Sequence, residues 1–314
     1  MAEYKSRILI IGSGPAGYTA GIYAARAGLD PILVTGYHQG GQVATTPNIE
    51  NYPGFPKAIK GEDLMDNMRQ QAQNCGCRVV NDVITEADFE QKPFFCASEN
   101  NHIYVADAVI IATGASTKWL EVPGEEKYKG WGVSSCATCD GYLYRGKCVA
   151  VVGGGNSAIE EALFLANLAS QVILIHRRDA LRADKILQDR LLKHPRINIL
   201  WNTVVMEVFG SDNPLGVAAL KVKNIKNDVI STLSVDCLFV AIGHTPNTNI
   251  FKSQITLDKQ GYILTSSHTV GMTNIAGVFA AGDVISGSIK QAIIAAGSGC
   301  LACRQAEKYL AELK

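Results

Sequence analysis

The chain has 314 residues, with 29 basic and 29 acidic side chains, 47% hydrophobic and 18% charged residues. That length exceeds what one hydrophobic core usually serves and suits two domains, and the balanced charge leaves no cationic excess for a nucleic-acid backbone. No apolar run approaches the roughly 20 residues of a membrane-spanning helix, and Met1-Ala2-Glu3-Tyr4-Lys5-Ser6-Arg7 runs straight into a strand pattern, so the expectation is a soluble, cytoplasmic protein.

Residues 7–12 read as a buried strand, 14–27 as a helix and 30–35 as a second strand. The turn between the first two is Gly12-Ser13-Gly14-Pro15-Ala16-Gly17. A glycine-rich turn between strand and helix brings backbone N–H groups onto a pyrophosphate at the helix N-terminus. An acid usually closes the second strand to hold the ribose, but Thr35-Gly36 stands there and Asp30 lies at the wrong end of the strand. Ribose contacts are therefore expected from the polar, glycine-rich stretch 36–52, from Gly40-Gly41-Gln42 and Asn51. Residues 62–76 follow as a helix, 79–106 as short antiparallel strands, and 108–114 as a buried strand running through Thr113 to Gly114.

The pattern then restarts. Residues 147–153 read as a strand, 157–168 as a helix and 171–176 as a strand. The intervening turn is Gly153-Gly154-Gly155-Asn156-Ser157-Ala158, with Ala158 in place of the third glycine. The second strand ends His176-Arg177-Arg178-Asp179, with Arg182 one turn on. Arginine at this strand end suits a 2′-phosphate through a bidentate fork, favouring NADPH over NADH; a solvated basic surface run is the alternative. Residues 237–243 echo 109–114, so the architecture is internally duplicated. The tail, residues 275–282 followed by a helix-like 291–313, belongs to neither repeat, and Ala280-Ala281-Gly282-Asp283 suggests a return to the first domain.

Between the two turns lies Cys136-Ala137-Thr138-Cys139-Asp140. Spacing of i, i+3 allows a small redox-active disulfide, and the adjacent carboxyl could hand a proton to a departing thiolate. Two dinucleotide turns with a cysteine pair on their connection point to electrons passing to sulfur. Two readings compete: inert buried thiols, or half of a zinc site completed by Cys300 and Cys303. The latter pair lies in an apolar helical stretch and is expected to pack on one buried side, as free cysteines do. Cys75, Cys77, Cys96, Cys148 and Cys237 read as packing thiols; nine cysteines, an odd number, argue against a disulfide framework.

Six motifs together, GSGPAG at 12–17, GGQ at 40–42, CATCDG at 136–141, GGGNSA at 153–158, HRRD at 176–179 and AAGD at 280–283, resemble the low-molecular-weight, bacterial-type thioredoxin reductases over essentially the whole chain. These are FAD- and NADPH-dependent members of the pyridine nucleotide-disulfide oxidoreductases. The resemblance implies an α/β fold of two Rossmann-like, three-layer domains. Residues 1–117 and 246–314 would form a discontinuous FAD-binding domain, and 118–245 an NADPH-binding domain carrying the cysteine pair. It further implies a homodimer built mainly on the FAD domains, a large rotation of one domain against the other, and thioredoxin as the partner reduced. FAD would meet Gly12, Ser13, Gly14, Pro15, Ala16, Gly17, Thr35, Gly36, Gly40, Gly41, Gln42, Asn51, Thr113, Gly114, Gly282, Asp283, Gln291 and Ala292. NADPH would meet Gly153, Gly155, Asn156, Ser157, Ala158, His176, Arg177, Arg178 and Arg182. Cys139 would face the flavin, Cys136 would attack the thioredoxin disulfide, and Asp140 would be the acid. A related flavoprotein reducing another redox protein or a peroxidase component is the alternative. One segment departs from the family pattern: an acid and a Tyr-Arg-Gln run are expected shortly after AAGD, where this chain has Ser286-Gly287-Ser288-Ile289-Lys290-Gln291.

Overall fold

In the computed structural model, which describes residues 2–266 and 271–313, the chain divides into two units, Met1–Ser116 with Thr245–Lys314, and Thr117–His244. The first begins with β1 (Glu3–Ile11), α1 (Pro15–Arg26), β2 (Pro31–Val34), α2 (Gly41–Ala44) and α3 (Gly61–Asn74). It continues through β3 (Arg78–Val80), β4 (Ile84–Asp88), β5 (Phe94–Ser98), β6 (Ile103–Ile111) and β7 (Ala115–Thr117). The strand order is β3-β2-β1-β6-β5-β4. The run Ile8–Ile11 is apolar without alternation because both faces of the sheet are covered. Ile8 and Ile10 join Tyr18 and Leu64 on the helical side, while Leu9 and Ile11 join Phe94 and Phe251 on the other. Two expectations need correction. Residues 78–80 pair parallel to β2, extending the nucleotide-binding sheet, and only β4, β5 and β6 form the antiparallel meander. The strand expected from residue 108 starts at Ile103, because its first half is needed to pair with β5.

Behind the end of β2 sits a carboxylate, Asp82, 3% exposed. It accepts hydrogen bonds from the Tyr104 hydroxyl and Asn100 amide at 2.8 Å each and from the Val83 N–H. Burial pushes its carboxyl up, but these bonds and those of Ser98 and His102 outweigh it and hold it at about 2. Its backbone carbonyl receives the N–H of Gly36 at 2.9 Å, which anchors the turn leaving β2.

The second unit comprises β8 (Val133–Ser134), α4 (Ala137–Asp140), β9 (Cys148–Gly153), α5 (Asn156–Ala166), β10 (Gln171–Ile175), α6 (Lys185–Leu192) and β11 (Ile197–Leu200). A three-stranded antiparallel sheet, β12 (Thr203–Asp212), β13 (Leu215–Asn224) and β14 (Ile230–Ser234), precedes β15 (Cys237–Ala241). The main sheet is parallel, in the order β11-β10-β9-β15-β8. Val149, Val151 and Leu174 face α5, while Ala150, Val152 and Ile175 face the three-stranded sheet. The architecture is again three layers. Helix α6 was not expected; its exposed face and single buried side chain, Leu191, give it little apolar periodicity.

After β16 (His244–Pro246) the tail supplies β17 (Val278–Ala280) and α7 (Ala292–Glu312). β17 pairs parallel with β6, Val278 opposite Val109, and α7 packs on α1. The contact is close because it is glycine against backbone: a Cβ on Gly299 would fall 2.1 Å from the Ala16 carbonyl oxygen. Among the described residues no helix is long and apolar enough to cross a membrane.

Candidate redox site and nucleotide cradles

The first glycine-rich turn is shaped by sterics at two positions and left open at a third. Gly12 has φ +112°, and a Cβ there would fall 2.3 Å from the Ala112 carbonyl oxygen; one on Gly17 would fall 1.9 Å from that of Gly12. At Gly14 a Cβ would meet nothing within 4 Å. Gly14 caps α1, Pro15 follows at the first turn, no side chain bonds the leading N–H groups, and no acid lies in that turn. Uncapped N–H groups facing open space at the positive end of a helix fit a pyrophosphate.

Other candidate residues converge on this turn. Ser13 donates to the Thr35 carbonyl at 2.8 Å and accepts from the Gly40 N–H at 3.1 Å. Gly40 and Gly41 have φ of +85° and +62°; the position of a Cβ on Gly41 is 3.6 Å from Gly14 Cα, so the turn carrying Gln42 lies beside the cradle. The Thr35 hydroxyl lies 3.1 Å from Asn81 Oδ1 and 3.2 Å from the Gly36 carbonyl. From the tail, Gly282 reaches Ala16, its Cβ position 3.0 Å from that of Ala16, and its N–H donates to Ser298 Oγ at 2.7 Å. Asp283 follows, with Oδ1 buried and without a hydrogen-bond partner; burial raises its carboxyl to about 6 against the opposing charge of Lys290. Asn51 donates to Gln291 Oε1 at 3.2 Å, joining two candidates 240 residues apart just before Ala292 opens α7. Thr113 and Gly114 are tied to Asn247, through Thr113 Oγ1 to its carbonyl at 2.7 Å and its N–H to the Gly114 carbonyl at 3.0 Å. Asn247 and Ser298 carry no sequence signal. In the departing segment, Ser286 hydrogen-bonds Asp258 at 2.5 Å and Lys290 Nζ lies 4.9 Å from the Tyr262 ring centroid, so that segment is strapped to the turn around residues 258–262.

Cys136 and Cys139 are joined as a disulfide, Cα atoms 5.3 Å apart. Cys136, in extended conformation, caps α4 and lets the carbonyl of Cys136 receive the N–H groups of Cys139 and Asp140 at 3.2 and 3.1 Å. Ser134, 7% exposed and held by the pairing of β8 with β15, accepts the Cys136 N–H at 3.1 Å. Burial raises the Asp140 carboxyl above the usual carboxylate range, Ser134 opposing. Nearby, burial drives the Tyr144 hydroxyl and the Cys237 thiol upward, with the Asp140 charge adding to the effect. A carboxyl that keeps its proton longer beside a disulfide can protonate a leaving thiolate. Neither Ser134 nor Tyr144 was singled out by the sequence. The second pair is asymmetric: Cys303 is 1% exposed and pushed up to about 12 by burial, while Cys300 is only partly buried. The expectation that both face one buried side is corrected, since residues three apart in α7 diverge enough for one to reach its edge. Of the remaining thiols, Cys77, Cys96 and Cys237 are buried, whereas Cys75 and Cys148 are partly exposed.

The second glycine-rich turn repeats the first. A Cβ on Gly153 would fall 2.4 Å from the Ala241 carbonyl and 2.5 Å from Ala158, whereas at Gly155, the uncapped N-cap of α5, it would meet nothing within 4 Å. Asn156 and Ser157 are exposed at the start of the helix. Arg177, Arg178 and Arg182 are exposed, and among the described residues none of them is in an ion pair. Asp179 instead pairs with Lys226 at 2.9 Å. His176 differs from the three arginines: it is 5% exposed and turned into the unit.

The chain matches the family model described as pyridine nucleotide-disulphide oxidoreductase over residues 6–299. It is 51% identical to a thioredoxin reductase of Coxiella burnetii, over 98% of this chain and 97% of the relative. It is 48% identical to one of Rickettsia felis, over 98% and 99%. The solved structure of the thioredoxin reductase from Giardia duodenalis superimposes with a TM-score of 0.94 at 40% identity, covering 98% of this chain and 99% of that one. With a disulfide at Cys136–Cys139 and two glycine-rich cradles at helix N-termini, the chain belongs to the pyridine nucleotide-disulphide oxidoreductases and, within them, to the thioredoxin reductase family.

Proposed function

We propose that the chain reduces the disulfide of thioredoxin, with NADPH as electron source, FAD as carrier and Cys136–Cys139 as the last relay. The observation that carries the reading is the disulfide itself, formed at the cap of α4 beside a carboxyl whose proton is held more tightly than usual. FAD is assigned to the unit with Gly12–Gly17. There the uncapped N–H groups at Gly14 would receive the pyrophosphate and the unpartnered Asp283 oxygen would accept from a polyol hydroxyl. The remaining contacts fall to Thr35, Gly36, Gly40, Gly41, Gln42, Asn51, Thr113, Gly114, Gln291 and Ala292. NADPH is assigned to the unit with Gly153–Ala158, its pyrophosphate at Gly155 and its 2′-phosphate at Arg177, Arg178 and Arg182. Bound together, the two groups supply the electron pair that opens the disulfide.

The later steps use the chain's own atoms. Opening yields thiols at Cys136 and Cys139. The Cys136 thiolate attacks one sulfur of the thioredoxin disulfide, forming a mixed disulfide and releasing a thioredoxin thiolate, to which Asp140 gives its proton. The Cys139 thiol returns its proton to the Asp140 carboxylate and attacks Cys136 Sγ as the thiolate, restoring Cys136–Cys139 and expelling the second thioredoxin sulfur as a thiolate. That thiolate takes from solvent the proton that Cys136 gave up there on becoming a thiolate. Ser134 orients the relay by holding the Cys136 N–H. The protein is further proposed to act as a homodimer in the cytoplasm, as the resemblance implies. The test is Cys136→Ser: the variant is expected to retain FAD and accept a hydride from NADPH, yet lose thioredoxin reduction. Normal turnover with thioredoxin in that variant would remove Cys136 from the relay.

A further inference from the structure

His176 stands at the strand end where the proposed site needs its cations, yet its ring is buried. Nδ1 lies 2.8 Å from the Gly153 carbonyl oxygen and Nε2 3.0 Å from that of Ala180. Carbonyl oxygens only accept, so a ring nitrogen that carries hydrogen donates to the carbonyl it faces, and the ring lies between the two segments. Trp201 closes one side, ring centroids 6.1 Å apart and nearly perpendicular. A Cβ on Gly154 would fall 2.2 Å from His176 Cε1, so the ring is packed directly against the backbone of the glycine-rich turn. The same two segments are joined twice more. The Arg182 N–H donates to the Gly154 carbonyl at 2.8 Å, and Asn156 and Asp184 exchange two bonds of 2.8 Å, one from the Asn156 amide and one from the Asp184 N–H.

We infer that His176 is a positioning residue that does not touch the cofactor. By tying Gly153 to Ala180, with the Asn156–Asp184 pair as a second tether, it holds loop 177–182 at a fixed offset from the pyrophosphate turn. The two anionic ends of one dinucleotide are then met by groups already in register. Such preorganisation cuts the ordering cost of binding, so its loss weakens affinity without removing any contact to the ligand. This role rests on the assignment of NADPH to the unit with Gly153–Ala158.

The test uses the flavin-loaded, full-length protein with His176→Phe, which keeps a ring but has no ring N–H, with Asp184→Ala, and with Arg177→Gln/Arg178→Gln as reference. His176→Phe is expected to raise KM for NADPH by about tenfold, the scale of one or two lost hydrogen bonds, with kcat within about twofold. In the arginine-depleted background the same change should cost less than about threefold, because the tether then has nothing to align. A direct phosphate contact would instead show its full cost in both backgrounds, and that result overturns the inference. Asp184→Ala decides the matter if His176→Phe fails to fold. Removing an acid next to a phosphate site should tighten NADPH by simple electrostatics, whereas a lost tether loosens it; tighter or unchanged binding overturns the inference. If the arginine variant itself shows no loss for NADPH, the cofactor reading has failed. If the arginine loss is seen and both tether variants bind normally, only the positioning role has failed.

Discussion

Ser13 and Thr35 are joined by a hydrogen bond of 2.8 Å from hydroxyl to carbonyl, and the same Ser13 oxygen receives the Gly40 N–H at 3.1 Å. One hydroxyl, 2% exposed, thus uses donor and acceptor to pin the end of β2 to the turn that lies beside Gly14. Ser13→Ala leaves a buried carbonyl and a buried N–H unpaired, at a cost of about 1–3 kcal/mol. The variant is expected to unfold at lower temperature and to release flavin earlier in a thermal ramp followed by flavin fluorescence. Unchanged melting and flavin retention would show that the turn is held by other contacts.

Arg177 and Arg178 project from the end of β10 without ion-pair partners among the described residues. Charge-assisted bonds to a 2′-phosphate contribute about 1.5–3 kcal/mol each. Replacing both with Gln should therefore lower NADPH affinity by at least about tenfold and NADH affinity far less. Titration with both nucleotides checks this, and equal losses would make the arginines structural.

Asp283 carries a pH signature. Its folded value, about 6, is raised above the ordinary 3.8 by burial. A carboxyl that binds its proton more tightly in the folded state favours that state fully below about pH 4, and the contribution is lost as pH rises through about 6. The difference between the two values corresponds to about 3 kcal/mol at most. Asp283→Asn should therefore make the flavin-free protein more stable than wild type above pH 6 but not below about pH 4. The same variant should retain FAD less well. Denaturant unfolding across that range measures the first effect; parallel pH profiles for the two proteins would contradict the assignment.

The asymmetry of the second cysteine pair separates packing from chemistry. Cys303→Ala removes a buried sulfur and should cost about 1 kcal/mol by analogy with small core truncations. Cys300→Ala, at the edge of α7, should be nearly neutral. Both variants should turn over thioredoxin at the wild-type rate. Loss of activity in folded, flavin-loaded protein would reveal a second relay where packing is inferred.

Much of this protein is written in local patterns. A strand buried on both faces must be apolar throughout, as Ile8–Ile11 and Val149–Val152 are. A chain that turns from strand to helix against another strand must be glycine where a Cβ would strike backbone, as at Gly12, Gly17 and Gly153. Two cysteines at i, i+3 likewise announce a bond that spacing alone permits. What the sequence could not state is which distant group each polar side chain meets. Asn51 finds Gln291 once β17, laid beside β6, brings the tail back to the first unit, Thr113 finds Asn247 where β16 pairs with β7, and Gly282 finds Ser298 where α7 folds back on the end of β17. The orientation of His176 belongs to the same class: its position reads as a cofactor contact, and its ring is buried because two carbonyl oxygens and Trp201 enclose it. Periodicity and steric exclusion act within a few residues and leave a trace in order and composition. Hydrogen-bond partnership and burial are decided across tens to hundreds of residues, by the packing of elements that the local pattern specifies only one at a time.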